Sequence, residues 1–276
     1  MSRKWRRLRR HHLGIIGAIL SAVLLVVAIG APLLARDDPI GMHMTETLRP
    51  PSAQHWLGTD EFGRDVWARV VFGARLSFTV GLVSMLLATA VGMPLGAMAG
   101  YLGGAADAVT MRIMDAILAF PAILLAIGLV AALGPGTGNG IIAIGIVYIP
   151  VLARVTRGAV LSTRSEEFVD AARAIGETDW GILRRHILPN SFAPVLVQAT
   201  VGFSAAVVIE AGLSFLGAGT PPPTPSWGSM LNAARQYMVV APHVAVFPGA
   251  AISLAVLGFN LLGDGLRDAL DPALAP

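Results

Sequence analysis

The sequence predicts an all-α membrane protein whose chain crosses the bilayer six times. Two properties of its composition support this prediction, since 55% of the residues are hydrophobic and only 13% are charged. A water-soluble globule of 276 residues would need more polar surface than this composition supplies. The third observation is that apolar runs of about 20 residues, the length of a spanning helix, recur along the chain.

The first apolar run, residues 13–34, follows a strongly basic N-terminus. A basic run could bind nucleic acid, but beside an apolar run it is typical of a cytoplasmic anchor. A cleaved signal peptide is the competing interpretation, although the run is long for one and Leu33-Leu34-Ala35 is a poor cleavage site. We therefore predict a first spanning helix. The basic residues ahead of it are Arg3, Lys4, Arg6, Arg7, Arg9 and Arg10.

Five further spans are predicted at residues 76–100, 113–133, 140–160, 193–216 and 244–263. Six spans place both termini on one side, and the basic N-terminus makes that side cytoplasmic. Residues 154–190 must then be cytoplasmic too, and their six arginines agree with the positive-inside rule. The chain divides into residues 1–75, which hold the basic segment, the first span and an external segment, and a core of five spans at 76–276.

The two longer external segments have distinct patterns. Residues 64–75 show helical spacing of apolar side chains, which predicts a helix in the outer membrane interface, or one packed on the bundle. Its arginines, Arg64, Arg69 and Arg75, are expected to face water or headgroups. Residues 217–243 contain a proline-rich stretch that predicts a rigid connector, with contact to an external partner as the alternative.

The cytoplasmic loop carries two short helical patterns. Apolar residues at i, i+3, i+4 and i+7 predict one stripe on a first helix, formed by Phe168, Ala171, Ala172 and Ile175. Gly176 is expected to end this helix, and Thr178 or Asp179 to begin a second one that Pro189 ends. A pair of helices this small has no core of its own. Its amphipathic surface either binds a partner or lies on the membrane.

The same loop resembles a known motif. The run Asp170-Ala-Ala-x3-Gly176, followed after twelve residues by Pro189, resembles the EAA loop of ABC importer permeases. The resemblance implies a type I ABC importer permease fold, in which this loop docks on a cytoplasmic ATPase. Asp170 stands where the motif has glutamate, so the negative charge is kept on a side chain that is one methylene shorter. The implied docking residues are Phe168, Asp170, Ala171, Ala172, Gly176, Leu188 and Pro189.

Other fragments resemble the second permease of dipeptide, oligopeptide and nickel importers. They are Leu57-Gly-Thr-Asp-Glu-Phe-Gly-Arg-Asp65, Gly73-Ala-Arg-Leu-Ser77, Phe120-Pro121, Ser214-Phe-Leu-Gly217, Pro223-Thr-Pro-Ser-Trp-Gly228 and Asn260-Leu-Leu-Gly-Asp-Gly-Leu-Arg-Asp-Ala-Leu-Asp-Pro272. The resemblance implies a bacterial plasma-membrane importer with a sister permease, two ATPase subunits or domains that bind ATP and Mg, and an external substrate-binding protein. Peptides, nickel chelates, haem and opines are all open as cargo.

The residue inventory excludes several kinds of chemistry. The chain has no cysteine, which removes disulfides, thiolate nucleophiles and iron-sulfur clusters. A P-loop needs a lysine, and the single lysine, Lys4, has no glycine loop around it. The histidines lie outside the predicted spans, so no catalytic or metal site is expected within the membrane. Energy must come from a partner ATPase or, as the alternative, from an ion gradient, although no clear inverted repeat is present.

Few charges fall inside the predicted spans. Glu210 lies well inside the fifth span, where a lone acid costs roughly 2.5 to 3.5 kcal/mol on insertion scales. It is a candidate for lining the substrate path, and a structural bond to a neighbouring helix is the alternative. Asp115 and Asp264 are predicted to lie at the interfaces. Gly92, Gly96 and Gly100 predict a close helix contact, either within the subunit or across a permease dimer.

Overall fold

The computed structural model describes residues 12–270, and this part of the chain is almost entirely helical. The basic N-terminal run and Pro272 lie outside the described residues. Its helices are α1 (His12–Ile29), α2 (Ala31–Leu34), α3 (Val66–Leu102), α4 (Gly104–Leu118), α5 (Ala122–Leu133), α6 (Thr137–Arg164), α7 (Glu167–Ala174), α8 (Asp179–Ile182), α9 (Leu188–Phe215), α10 (Trp227–Ala234) and α11 (His243–Leu270), with a short 3-10 turn at Met44–Glu46.

The number of membrane crossings agrees with the prediction, but one span is not straight. Five helices are long and apolar enough to cross a membrane singly, and the pair α4 and α5 passes that test together. This pair bends by 90°, so the prediction of one continuous helix at 113–133 is wrong. Pro121 lacks a backbone N–H and disfavours helical geometry in the residue before it, and its own backbone is extended.

Helix α3 starts earlier than the sequence pattern indicated. The Asp65 carboxylate accepts a hydrogen bond of 2.8 Å from the Ala68 N–H and so caps the helix there. From that cap the helix runs unbroken to Leu102, across the predicted division at residue 75. The prediction of a separate interfacial helix at 64–75 is therefore wrong, and the alternative, a helix packed on the bundle, is confirmed. Arg64 and Arg69, expected to face water or headgroups, are buried.

Helices α3 and α6 pack together along a row of glycines. A side chain at Gly92 would bring its Cβ within 2.7 Å of the Ile149 carbonyl oxygen, and one at Gly100 within 2.9 Å of the Arg157 carbonyl oxygen. Gly96, between them, lies closer still to the backbone of α6. The close contact predicted from these glycines is thus made within the subunit.

The segments between the helices gather at the two ends of the bundle. At one end, here named the far end, the Trp227 indole N–H donates to the Val70 carbonyl oxygen at 2.9 Å. At the same end, the His243 ring lies 3.2 Å from the Thr59 carbonyl oxygen. Residues 165–187 lie at the opposite end, here named the loop end, against the last turns of α3 and α6. This arrangement places both predicted external segments opposite the predicted cytoplasmic loop.

Candidate functional site: a docking loop at one end of the bundle

Helix α7 turns a different face to the bundle from the one its apolar spacing predicted. Val169 and Ala172 are its buried residues. Phe168 and Ile175, expected on the same stripe as Ala172, are exposed, and Ile175 retains 84% of its accessible surface. Only part of the predicted stripe therefore faces inward, and much of its apolar surface is open.

The turn after α7 is built as the sequence predicted. Gly176 has a φ of +84°, a left-handed geometry that favours glycine. The N–H of Glu177 donates to the Ala172 carbonyl oxygen at 3.1 Å. The N–H of Gly176 donates to the Arg173 carbonyl oxygen at 3.0 Å. The Thr178 hydroxyl then accepts from the Gly181 N–H at 3.2 Å, which makes Thr178 the cap of α8.

The second loop helix does not end at Pro189, contrary to prediction. Helix α8 continues through a π-helical turn at Leu183–Ile187 directly into α9. Pro189 lies in the first turn of α9, where a missing N–H leaves little unsatisfied. The π turn inserts one extra residue per turn and keeps the helical path continuous. No non-helical residue therefore separates α8 from α9.

A small apolar cluster attaches the loop to the bundle. Ile182, Leu183 and Ile187 from the loop are buried with residues at the ends of α3 and α6, and Leu188 packs partly against them. The Tyr101 hydroxyl donates to an Asp179 carboxylate oxygen at 2.6 Å. Within the loop, the Nε2 of His186 lies 2.7 Å from the Oε2 of Glu177, within hydrogen-bonding distance.

The outer surface of the loop combines apolar and charged side chains. Ile175 is joined there by Trp180, which keeps 67% of its accessible surface. We name the exposed apolar residues of the loop, Phe168, Ala171, Ile175 and Trp180, the docking face. Leu183 and Ile187, which follow Trp180 at helical spacing, are instead buried against the bundle.

The predicted docking residues divide between the outer surface and the interior of the loop. Phe168, Asp170, Ala171, Gly176 and Pro189 are exposed, Leu188 is half-buried and Ala172 is buried. Asp170 pairs with Arg173 at 3.2 Å on the surface. The sequence pattern missed the packing role of Val169 and the partnership of Tyr101 with Asp179, because the alternation of one short helix does not reveal its neighbours.

Glu210 lies far from the loop, buried within α9. One of its carboxylate oxygens accepts a hydrogen bond of 2.8 Å from the Ser214 hydroxyl, one turn further along the helix. Its other oxygen and the buried Ser77 hydroxyl have no hydrogen-bond partner among the described residues. In the conformation described here the side chain is enclosed within the subunit.

At the far end, His55 lies among three carboxylates. Its Nδ1 is 2.9 Å from Asp65 and 3.9 Å from Asp37, and its Nε2 is 3.3 Å from Glu46. Burial alone would lower the pKa of His55, but hydrogen bonds to Asp65 and Glu46 and their charges outweigh it and raise the pKa above 6.5. This arrangement favours a protonated imidazole that ties residue 37 and the 3-10 turn to the cap of α3.

Buried arginines form a second charged group beside His55. Asp60 accepts from the Arg64 Nε at 2.6 Å and lies 3.4 Å from the Arg69 Nε. Arg69 also donates to the Pro39 carbonyl oxygen at 2.9 Å. Burial raises the pKa of the neighbouring Glu61, with the Asp60 charge as the second cause. The far-end segment is thus held by polar contacts as well as by apolar packing.

Two family models match the chain. One, described as the binding-protein-dependent transport system inner membrane component, matches residues 92–276, and the other, described as the N-terminal TM domain of oligopeptide transport permease C, matches residues 1–51.

Relatives of known type match nearly the whole length. The dipeptide transport system permease protein DppC of Alkalihalophilus pseudofirmus is 48% identical over 98% of this chain and 89% of its own. The glutathione transport system permease protein GsiD is 49% identical in Escherichia coli, over 98% and 89%, and 45% identical in Pectobacterium atrosepticum, over 98% and 90%.

Among solved structures, a chain of the MetNI methionine ABC transporter has the same fold, with a TM-score of 0.61 and 20% identity. The match covers 73% of this chain and 96% of that one. The helical bundle and the two family models agree. The chain belongs to the family of binding-protein-dependent transport system inner membrane components and is a multi-pass inner-membrane permease subunit of an ABC importer.

Proposed function

We propose that this permease forms half of the path by which a small peptide crosses the plasma membrane. The cargo assignment rests on sequence identity. Over 98% of its length the chain is 48% identical to a permease named for dipeptide and 49% identical to one named for glutathione. Both of those cargoes are short peptides. Oligopeptides, nickel chelates and related small solutes are the neighbouring alternatives within the same transporter class.

The exposed docking face supports an ATPase as the partner of residues 154–190. Ile175 and Trp180 present apolar surface on a loop whose other side is fixed to three spanning helices. An amphipathic helix of this kind binds by laying its apolar residues into a groove of another protein. Since the loop continues directly into α9, closure of a pair of ATPase subunits around bound ATP and Mg would move that helix. This chain itself is proposed to bind neither ATP nor metal.

The rest of the assembly follows from the same family. A sister permease would supply the other half of the path, and an external binding protein would deliver the cargo to the far end. Lipid surrounds the exposed apolar faces of the spanning helices. The loop end and both termini are assigned to the cytoplasm, since the arginines of the loop agree with the positive-inside rule. An ion-gradient carrier is not favoured, because the relatives are subunits of ABC importers.

Co-purification tests the docking assignment. We expect ATPase subunits encoded beside this gene to accompany the wild-type permease. Ile175→Glu should abolish that association, because it places a charge in an apolar contact. The matched control is Val239→Glu, which changes a residue that is 97% exposed at the far end. ATPase association that survives Ile175→Glu as well as Val239→Glu would contradict docking through this face.

Uptake into vesicles tests the cargo. The complex of both permeases and the ATPases is reconstituted with its binding protein, and ATP-dependent uptake of a labelled dipeptide, glutathione and a nickel chelate is compared. We expect uptake of one of the two peptide classes. Uptake of the nickel chelate alone would overturn the peptide assignment while leaving the importer assignment intact.

A further inference from the structure

Helix α4 has little apolar attachment to the rest of the subunit. Met114 is its only buried residue. Val109 and Ile113, both large and apolar, are more than half exposed. A helix of fifteen residues that is held in a bundle by packing normally buries a continuous stripe, and α4 does not.

Both ends of α4 are breaks in the helical path. At its start, Gly103 and Gly104 have φ values of +68° and +55°, and no atom lies within 4 Å of where a Cβ would be on either residue. At its end, Phe120 and Pro121 form the corner at which α5 turns by 90°. Such glycines and bends are the usual positions of hinges, because they absorb backbone rotation at low cost.

Two ion pairs hold this weakly packed helix on α6. The Asp107 carboxylate accepts from both the Nε and the Nη2 of Arg157, each at 2.5 Å, in a two-pronged geometry. Further along, Asp115 pairs with Arg154. The two helices run in opposite directions, so the pairs lie one beyond the other along the same contact. We name these four residues the α4 latch.

The α6 side of the latch is held by α3 and leads into the loop of residues 165–187, which we name the docking loop. The Arg157 carbonyl lies against Gly100 of α3, so this part of α6 cannot shift without α3. Arg164, two turns beyond Arg157, is the last residue of α6. The docking loop begins directly after it. The latch thus joins a firmly held helix that ends in the docking loop to a helix between two hinges.

We propose that α4 moves away from α6 during each transport cycle and that the α4 latch holds it in place in the conformation described here. Asp107, Asp115, Arg154 and Arg157 are then positioning residues that link the state of the docking loop to the bent span. This inference rests on the proposed coupling to an ATPase. It assigns the first half of the bent span as a part that changes position in addition to α9.

Charge reversal tests the latch in the complete complex with its binding protein. We expect Asp107→Arg to lower uptake at least tenfold while ATP hydrolysis continues and no longer requires the binding protein. Arg157→Asp should do the same. The double variant Asp107→Arg with Arg157→Asp restores the pair and should recover most of the uptake. Single variants with normal uptake and normally regulated hydrolysis would overturn the proposal, as would a double variant no better than either single one.

Cross-linking provides a second test within one folded protein, because the chain has no cysteine of its own. The variant Asp107→Cys with Arg157→Cys avoids the repulsion of a charge reversal and keeps the pair of Asp115 with Arg154, so it should retain measurable uptake. A reducible bifunctional thiol reagent would then tie α4 to α6. We expect uptake to fall at least tenfold on cross-linking and to return on reduction. Equal uptake before and after reduction would show that α4 stays on α6 and would overturn the proposal. ATPase subunits that never co-purify with the wild type would instead contradict the proposed function.

Discussion

At the scale of single residues, His55 makes the far end sensitive to pH. Because Asp65 and Glu46 raise the pKa of His55 in the folded protein, its protonation stabilises the fold. That contribution is complete below about 6.5 and is lost as the pH rises through the folded-state pKa. We expect the wild-type melting temperature to fall between about pH 6.5 and pH 8.

The comparison is with His55→Gln, which keeps a polar side chain and removes the titration. Its melting temperature should be lower at pH 6 and nearly independent of pH up to pH 8. His55, Asp37 and Asp65 are close enough to hold a metal ion, so EDTA is the control. If the carboxylates hold a protonated imidazole instead, EDTA should leave the wild-type profile unchanged. Parallel profiles for the wild type and His55→Gln would contradict a stabilising protonation.

The glycine row of α3 gives a second prediction for single residues. Gly96→Ala places a Cβ against the Ala153 backbone, where no flexible side chain can move aside. Overpacking of this kind typically costs about 1 to 3 kcal/mol. Gly158→Ala in α6 is the matched control, since its Cβ would have no atom within 4 Å. Thermal unfolding in detergent should show a loss for Gly96→Ala and little change for Gly158→Ala.

Some residue roles could be predicted from the sequence and others could not. Gly176 and Thr178 were predicted because a helix end and a helix cap depend on local backbone geometry. The inward face of α7 was only partly predicted, because it depends on which helices Val169 packs against. These are α6, which ends a few residues earlier, and α3, which lies more than sixty residues away along the chain. The exposure of Ile175 depends on the position of the same two helices.

At the scale of elements, apolar length predicted the crossings but not their breaks. Apart from Asp115, the run 113–133 is apolar throughout, so its hydropathy does not reveal the bend at Pro121. Pro94, Pro150 and Pro194 lie inside helices that continue, so proline alone does not identify a break. The continuation of α8 into α9 past Pro189 shows the same limit, because a π turn accommodates that residue.

The docking loop as an element should loosen when its bond to α3 is removed. Tyr101→Phe deletes the hydroxyl that donates to Asp179 and leaves the ring in its apolar cluster. A hydrogen bond to a charged group contributes about 1.5 to 3 kcal/mol. We expect amide exchange in residues 167–187 to quicken about tenfold or more, with residues 188–215 much less affected. Unchanged exchange in the loop would show that apolar contacts alone hold it.

At the scale of the whole molecule, the two ends of the bundle are held by different kinds of contact. The loop end is held by a compact apolar cluster and is open to a partner through the docking face. The far end is held by the charged groups around His55 and Asp60 and by the bonds to Val70 and Thr59. In the proposed importer the loop would transmit the motion of the ATPase, and the outer segment would meet the binding protein. The division of contacts between the ends agrees with the proposed sidedness.

The sidedness itself can be measured because the chain contains no cysteine. Single cysteines are introduced at Val239, which is 97% exposed at the far end, and at Ile175, which is 84% exposed in the loop. If the loop end is cytoplasmic, a membrane-impermeant maleimide should label Val239→Cys in cells whose plasma membrane is intact. Ile175→Cys should react only after that membrane is opened. The reverse pattern would place the arginines of the loop outside, contrary to the positive-inside rule, and would remove the docking loop from the reach of any cytoplasmic ATPase.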